Sequence, residues 1–338
     1  MAKLILSTGN IVSGGPSIVR KPGASNLELI NSLKVSFQDA QLDYADEIEN
    51  LNVDVNGTTT TTTTNGTNNG VHEATNGDSS NSSNPEPVAG PLYWTAQDQT
   101  KNTIYVPRID WETAGLLEER SQYDITVKIF FLPTTTPDVS RRAAYTSEAL
   151  SLVQKELGGI SDVDLLVVSF PGMSFDGDCE WEADKRNASQ GDDEAEIATW
   201  QAAVEEALYA QGRVKRLGIS EFGTEKLARF IKRVQVPPAV DQINIKNCCN
   251  VPPPLAKLAK EQNVELLVHS DCTDILPEGT LRELLGPQGA GLLADPKATS
   301  SEGLSGNLTP QWVIKYTAVV RNRGVIENKG YFAGAELN

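Results

Sequence analysis

Eight polar side chains follow or interrupt apolar runs of the sequence and could take part in chemistry. They are Lys128, Ser169, Ser220, Glu221, Gln242, Asn244, His269 and Lys329. If the runs are parallel strands, their carboxyl ends meet at one edge, where an α/β barrel carries its active site. A buried lysine there can act as a base or lower the pKa of a neighbour. On residue type alone, the simpler interpretation of Lys128 is a stem in the core and a head in water.

The residues around these positions argue against several common catalytic sites. Ser169 lies in no Gly-x-Ser-x-Gly turn, so a hydrolase nucleophile is not indicated. His269 has no nucleophile near it in the sequence and is better interpreted as a structural histidine. The acidic residues are scattered, and no metal-ligand spacing emerges. The glycine-rich phosphate loops of Rossmann and P-loop proteins do not occur.

Six apolar runs predict the strands that position these side chains. The predicted strands are 123–132, 163–170, 214–219, 240–245, 264–269 and 325–328. Apolar residues at three- and four-residue spacing between most of them predict helices. The predicted helices are 147–157, 197–208, 224–234, 255–260 and 309–323.

The segment 213–253 is the clearest unit, a strand, a helix capped by Thr224, and a second strand. Thr309 and Pro310 have the order of an N-cap followed by a first-turn proline, which favours a helix there. Regular alternation of strand and helix over this length predicts an α/β fold, a (β/α)8 TIM barrel.

The remaining segments predict one domain over residues 1–338 with two insertions. Residues 4–12 are interpreted as a short hairpin and 25–51 as a helix. Residues 52–90, rich in Thr, Asn, Gly and Ser, are predicted to be a disordered low-complexity insertion, because they cannot bury enough apolar surface. Residues 176–196 are predicted to be a solvated acidic loop insertion.

The composition narrows the choice of partners and location. The 338 residues carry a formal net charge of −16, with a pI near 4.6. Nucleic acid and anionic membrane are also negative, so neither is expected as a partner. Nothing approaches a transmembrane span or a signal peptide. The four cysteines, Cys179, Cys248, Cys249 and Cys272, form no metal or redox motif, which predicts reduced thiols in the cytoplasm.

Several of the predicted strands resemble those of aldo-keto reductases. The similar segments are 125–128, 163–171, 217–222 and 241–244. That family is a (β/α)8 barrel that uses NADPH and needs a tyrosine acid, an aspartate, a lysine and a histidine. Lys128 matches the family's lysine. The resemblance makes it a vestige, because Ser169 stands where the histidine belongs and the segment with the aspartate and tyrosine is missing. The resemblance therefore implies the fold and argues against the reaction, since a lone lysine has no acid to tune.

More of the chain resembles the regulatory subunits of glutamate–cysteine ligase, which are catalytically silent relatives of that barrel. The similar segments, in chain order, are 7–12, 215–222, 242–253, 266–271 and 312–331. They include Leu217-Gly218-Ile219-Ser220-Glu221-Phe222 and the Cys248-Cys249 pair, followed by Pro252-Pro253. The combination is more specific than any one segment.

The resemblance implies a regulatory subunit with no activity of its own. It would bind the catalytic subunit of glutamate–cysteine ligase as a heterodimer, improve its use of glutamate, and relieve inhibition by glutathione. Cys248 and Cys249 are the implied thiols for contact with the partner, although a pair of small, partly buried side chains explains them as well. No cofactor is expected.

Two alternatives remain at this point. One is an active NADPH-dependent reductase. The other is a barrel that keeps NADPH as a sensing ligand on a vestigial site of Lys128, Ser220, Gln242 and Lys329.

Overall fold

The computed structural model describes residues 2–12, 25–55, 92–244, 250–297 and 303–338. The Cys248-Cys249 pair and nearly all of the 52–90 segment lie outside the described residues. Predictions about them therefore stay predictions. Within the described ranges, no helix has the length and apolar character needed to cross a membrane.

In the part of the chain that the structure describes, ten strands form one mixed sheet. The strands are β1 Ala2–Ser7, β2 Ala96–Asp98, β3 Thr103–Val106, β4 Tyr123–Phe131, β5 Val163–Ser169, β6 Val214–Ser220, β7 Val240–Asn244, β8 Glu265–His269, β9 Leu308–Val320 and β10 Val325–Leu337. Their order across the sheet is β2-β3-β1-β10-β9-β4-β5-β6-β7-β8. The five strands from β4 to β8 run parallel, as consecutive βα units require.

The helices connect and cover the sheet. They are α1 Ser25–Val55, α2 Val139–Glu156, α3 Glu180–Asn187, α4 Asp193–Thr199 continuing as a π-helix Trp200–Tyr209, α5 Thr224–Ile231, α6 Pro253–Gln262 and α7 Thr280–Leu285. All six predicted strands are confirmed. The helices predicted at 25–51, 197–208, 224–234 and 255–260 are also confirmed, within about four residues at their ends. The helix predicted at 147–157 is confirmed but begins eight residues earlier, at Val139.

The predicted helix at 309–323 is wrong, because this segment is strand β9. Alternate side chains of β9 point to opposite faces, and Val313, Ile314 and Thr317 are β-branched residues that favour strands. Pro310 does not open a helix; it pairs with Ala335 beside an irregularity in the register, where a strand tolerates proline. The hairpin predicted at 4–12 is also wrong, since β1 pairs with β10 and β3 instead of with its own continuation.

The predicted barrel is not found: the parallel α/β part is present, but the sheet is open. Its outer strands are β2 and β8, and no pairing between them exists in the described part of the chain. Two features account for this. The antiparallel pair β9 and β10 lies beside β4 in place of further βα units. Helix α1 packs Leu29, Leu33 and Phe37 on the face of the sheet that a barrel would enclose, against residues such as Leu4 and Tyr331.

The opposite face of the sheet carries the main core. Ile125, Val127 and Ile129 of β4 pack there with α2, the π-helix and α5. Trp200 and Phe222 both lie edge-on to Phe230, with ring centroids 5.3 and 5.2 Å apart. This packing fixes the strands whose carboxyl ends form the candidate site.

The 176–196 segment is not a solvated loop, because it contains helices α3 and α4. Its carboxylates are used in packing: Glu196 is buried with its Oε2 2.8 Å from the Lys226 ammonium. Asp184 accepts hydrogen bonds from the amide and the hydroxyl of Thr224, at 2.6 and 2.7 Å. Asp184 therefore caps α5, in place of the predicted Thr224. Assignment of residues 1–338 to one domain stays a prediction.

Candidate functional site

A polar cavity of about 290 Å³ lies on the face of the parallel strands that a barrel would enclose, which we call the inner face. Strands β4, β7, β8 and β9 and the segment after β8 line it with Thr126, Lys128, Gln242, His269, Ser270, Asp271, Lys315 and Thr317. Lys128 pairs with Lys315 across β4 and β9, so both lysines point to the same face. The cavity is the candidate site.

Lys128 is buried, with 4% of its surface exposed. Its ammonium donates to Gln242 Oε1 at 3.1 Å and lies 3.4 Å from Asp271 Oδ2. The interpretation that its head reaches water is therefore wrong. Burial lowers the pKa of Lys128, while the charges of Asp271 and Glu221 oppose that effect.

Asp271 joins the two lysines of the cavity. Its Oδ1 lies 2.8 Å from the Lys315 ammonium, and its Oδ2 faces Lys128. Burial alone would raise the pKa of Asp271, but the charges of Lys128 and Lys315 hold it well below its usual value. Sequence reasoning missed both Asp271 and Lys315. Asp271 follows His269 by two residues, a usable signal, but Lys315 was hidden in a segment assigned to a helix.

His269 has hydrogen-bond partners on both ring nitrogens. Nδ1 accepts from the Asp271 amide at 3.1 Å, so the proton of the neutral ring belongs on Nε2. Nε2 lies 2.7 Å from Glu221 Oε1 and 3.3 Å from Ser220 Oγ. This geometry agrees with a structural histidine.

Glu221 is buried and has a backbone φ of +67°, the left-handed region that non-glycine residues seldom adopt. Two hydrogen bonds hold it there: its amide donates to Gln242 O at 2.8 Å, and Asn187 Nδ2 donates to its carbonyl at 2.7 Å. The fully buried Asp241 lies on the neighbouring strand. Burial, together with the charge of Glu221, raises the pKa of Asp241 well above its usual value.

Only part of the predicted site comes together. Lys128 contacts Gln242 directly. Ser220 is linked to Gln242 through His269, whose Nε2 lies near both the Ser220 hydroxyl and the Gln242 carbonyl oxygen. Lys329 lies on β10, two strands from β4, and its ammonium forms an ion pair with Glu28 of α1 at 2.5 Å. Ser169 is buried at the end of β5 and does not line the cavity.

The ionisable side chains of the site lie next to one another. Lys128 and Lys315 face Asp271, and His269 faces Glu221. None of the described residues that line the cavity is a tyrosine, so none of them offers a phenol to protonate a carbonyl oxygen beside Lys128. In the described ranges, no group of three or more histidine, cysteine, aspartate or glutamate side chains is arranged to hold a metal ion.

The groups that the reductase resemblance assigns to NADPH are engaged with the protein itself. Gln242 accepts from Lys128, Ser220 is fully buried against His269, and Lys329 is paired with Glu28. These side chains do not present a set of free donors to a dinucleotide. Fold and site thus define an α/β protein with a mixed sheet and an internal cluster in which Lys128 and Lys315 both face Asp271. We call these three residues the lysine cluster.

Comparison with known proteins places this α/β protein in a family. No protein-family model matches the chain. A Schizosaccharomyces pombe protein with the provisional name glutamate–cysteine ligase regulatory subunit is 30% identical over 237 residues, covering 68% of this chain and 77% of the relative. The Homo sapiens glutamate–cysteine ligase regulatory subunit is 25% identical over 219 residues, covering 65% of this chain and 68% of the relative. The chain belongs to the family of glutamate–cysteine ligase regulatory subunits.

Solved aldo-keto reductases are similar over shorter stretches. An enzyme from a deep-sea metagenome library is 22% identical with a TM-score of 0.27, covering 45% of this chain and 43% of that chain. The Bombyx mori aldo-keto reductase is 21% identical with a TM-score of 0.28, covering 38% of this chain and 37% of that chain.

Proposed function

We propose that this protein is a non-catalytic regulatory subunit that binds the catalytic subunit of glutamate–cysteine ligase as a heterodimer in the cytoplasm. In that complex it improves the use of glutamate and relieves inhibition by glutathione. The observation that carries the proposal is the 30% identity to the S. pombe relative over 68% of this chain. The names of the relatives support the regulatory role, and we propose the binding and the kinetic effects in addition.

The proposed effect is a coupling free energy between two proteins. A regulatory subunit changes substrate affinity only if it binds one conformation of the catalytic subunit more tightly than another. A fivefold to 150-fold change in apparent affinity corresponds to about 1–3 kcal/mol of such coupling. For this effect the chain needs a surface that fits one conformation of the catalytic subunit, and it needs no side chain that reacts with a substrate.

The lysine cluster supports the absence of independent reductase activity. Lys128 is held by Asp271 and Gln242, and no tyrosine hydroxyl lines the cavity. Ser169, in place of the reductase histidine, is buried away from it. Among the described residues, a carbonyl substrate in this cavity would meet no tyrosine, and the histidine that lines it, His269, is paired with Glu221.

The experiment is a titration of this protein into purified catalytic subunit at limiting glutamate, with and without glutathione. A saturable rise in rate, together with weaker inhibition by glutathione, is the expected result. Mass photometry of the same mixture should show a one-to-one complex. No change in rate and no complex would refute the proposal. Turnover of aldehydes with NADPH by this protein alone would refute its non-catalytic part.

The predicted thiol contact is tested in the same system. Cys248→Ser and Cys249→Ser, singly and together, should abolish any disulfide-linked complex seen on a non-reducing gel. Cys179→Ser is the matched control, because Cys179 is exposed and free. A linked complex that survives the double substitution would exclude this pair.

The NADPH-sensing alternative has a separate readout. Because Lys128, Ser220, Gln242 and Lys329 are engaged internally, we expect no change in cofactor fluorescence when NADPH is titrated with this protein. A saturable change that Lys128→Met removes would restore the vestigial site as a ligand site.

A further inference from the structure

A second cleft, of about 470 Å³, shares none of its described lining residues with the cavity around Lys128; we call it the hairpin cleft. It is built from the segment after β1, the loop before β4, the end of α2 and the start of β10. The lining residues that matter below are Asn10, Arg108, Asp110, Leu117, Glu156 and Glu327.

Hydrogen bonds between distant parts of the chain make the cleft a fixed structure. Asn10 Nδ2 donates to Glu327 O at 3.0 Å and to Asn328 Oδ1 at 2.7 Å. The amide of Tyr331 donates to Thr8 Oγ1 at 2.9 Å. These residues come from 7–12 and 312–331, two of the segments similar to the regulatory subunits. Lys128, Lys315 and Asp271 do not line this cleft.

Glu156 is a buried acid in the cleft without a cation. It is 8% exposed, and its one hydrogen-bond donor in the described part is the Tyr316 hydroxyl, 3.3 Å from Oε1. Among the described residues no lysine, arginine or histidine nitrogen lies within salt-bridge distance of it. Burial raises the pKa of Glu156, as expected for a carboxyl group that lacks a counter-charge.

The rest of the cleft is also acidic overall. Glu327 accepts a hydrogen bond from the Tyr123 hydroxyl, and Asp110 accepts from Thr113 at 3.1 Å. Arg108 is the single cation among the described lining residues. It contacts Tyr44, whose hydroxyl accepts from Arg108 Nε at 2.6 Å and whose ring centroid lies 4.0 Å from the guanidinium. The described lining therefore holds three carboxyl groups, those of Asp110, Glu156 and Glu327, and one arginine, which is engaged by α1.

Exposed apolar side chains occur in the lining of the cleft and next to it in sequence. Leu117 lines it and is 84% exposed. Val12, Val325 and Ile326 are also exposed and lie within two residues of the lining positions Asn10 and Glu327. Exposed apolar side chains that are grouped together are one mark of a protein contact.

We infer that the hairpin cleft receives an arginine side chain of the catalytic subunit, with Glu156 as its counter-ion and Leu117 packing against the surrounding partner surface. The identity of the partner rests on the proposed function. Arginine fits because its planar guanidinium carries five donors, is weakly hydrated, and is enriched among residues that dominate interface affinity. The net charge of −16 also favours a basic partner surface.

The test compares the affinity of four variants for the catalytic subunit by biolayer interferometry. Glu156→Gln keeps the shape and the acceptor for Tyr316 but removes the charge. We expect Kd to rise about tenfold or more, the effect of losing a charge-assisted hydrogen bond. Leu117→Thr should raise Kd by a smaller factor. The matched controls, Glu206→Gln and Val268→Thr at exposed positions elsewhere, should leave Kd unchanged.

Salt dependence gives a second readout that a general loss of folding would not produce. Raising the salt concentration should weaken the wild-type complex more than the Glu156→Gln complex, because screening acts on the ion pair that the variant lacks. Binding of Glu156→Gln and Leu117→Thr with wild-type affinity would overturn this inference and leave the proposed function intact. Failure of the wild-type protein to bind would instead overturn the proposed function, and this inference with it.

Discussion

Asp271→Asn should be strongly destabilising, because Asp271 is the counter-charge of the buried Lys128. The two groups lie 3.4 Å apart, and Lys128 is 4% exposed. Asparagine has nearly the same shape, so the change removes charge and little volume. Removal of one partner of a buried ion pair typically costs about 3–5 kcal/mol, since an uncompensated charge remains inside. We expect the lower half of that range, since Lys128 keeps Gln242 as a hydrogen-bond acceptor.

Urea unfolding followed by circular dichroism measures the effect. A loss of about 3 kcal/mol lowers the ratio of folded to unfolded protein more than a hundredfold at 25 °C. The control is Asp178→Asn, which changes an exposed carboxylate and should alter stability by less than about 0.5 kcal/mol.

A double-mutant cycle with Lys128→Met isolates the reason for the loss. In the double variant no buried ammonium remains, so its destabilisation should be smaller than the sum of the two single losses by at least about 1 kcal/mol. Additive losses, or a loss below about 1 kcal/mol for Asp271→Asn alone, would show that the pair does not hold the site as argued.

Three further predictions follow from individual side chains. Glu156→Gln should raise stability at neutral pH, because the raised pKa of Glu156 means that ionisation opposes folding; the gain should vanish as the pH falls below about 4.5, where the unfolded state also carries the proton. A urea series at pH 4 and pH 8 tests this, and an equal effect at both values would contradict it. Asp184→Ala should cost about 1 kcal/mol through loss of the α5 cap, and Asp184→Asn should restore most of it. Asn263→Ala should cost about 1–2 kcal/mol and Asn263→Gly almost nothing, since Asn263 ends α6 with φ +55°; equal thermal midpoints for the two would refute the backbone argument.

The sequence predicted the parallel half of the fold well and the antiparallel half poorly. Strands such as Val163–Ser169 are continuous apolar runs separated by amphipathic helices, and local pattern is enough to identify them. In β9, aromatic and β-branched residues at Trp312, Val313 and Tyr316 fit a helical stripe as well as a strand with both faces buried. Pairing with β4, which is distant in sequence, and with the next strand of the chain, β10, decides between them.

The candidate site was predicted in part for the same reason. Lys128, Gln242 and His269 lie on strands that were predicted correctly, and they meet in one cavity. Lys315 was missed because its segment was assigned to a helix. The burial of Lys128 was missed because its partner Asp271 is 143 positions away, and no local pattern shows such a pair.

The ion pairs of the site also show how strongly the open sheet curls. Strands β4 and β8 are four positions apart in the sheet, a separation of about 19 Å in a flat sheet with about 4.8 Å between strands. Asp271 follows β8, yet its carboxylate reaches Lys128 on β4 and Lys315 on β9. A lysine stem cannot span that distance, so the sheet must bend until its last parallel strand faces its first.

Because the sheet curls but does not close, the lysine cluster has a structural role in holding its two ends together. In a closed barrel, hydrogen bonds between neighbouring strands would hold the two ends together; here α1 lies on the inner face, and charges do part of that work. The amide of Cys272, next to Asp271, donates to Ser25 Oγ at the start of α1, at 2.6 Å. The contacts of Lys128 with Gln242 and Asp271 therefore link β4 to β7 and to the segment after β8, and they help to hold the curled sheet in shape. Loss of cooperativity in the unfolding of Asp271→Asn, with β8 and α1 exchanging amide hydrogen faster than β5, would be the direct sign of this role.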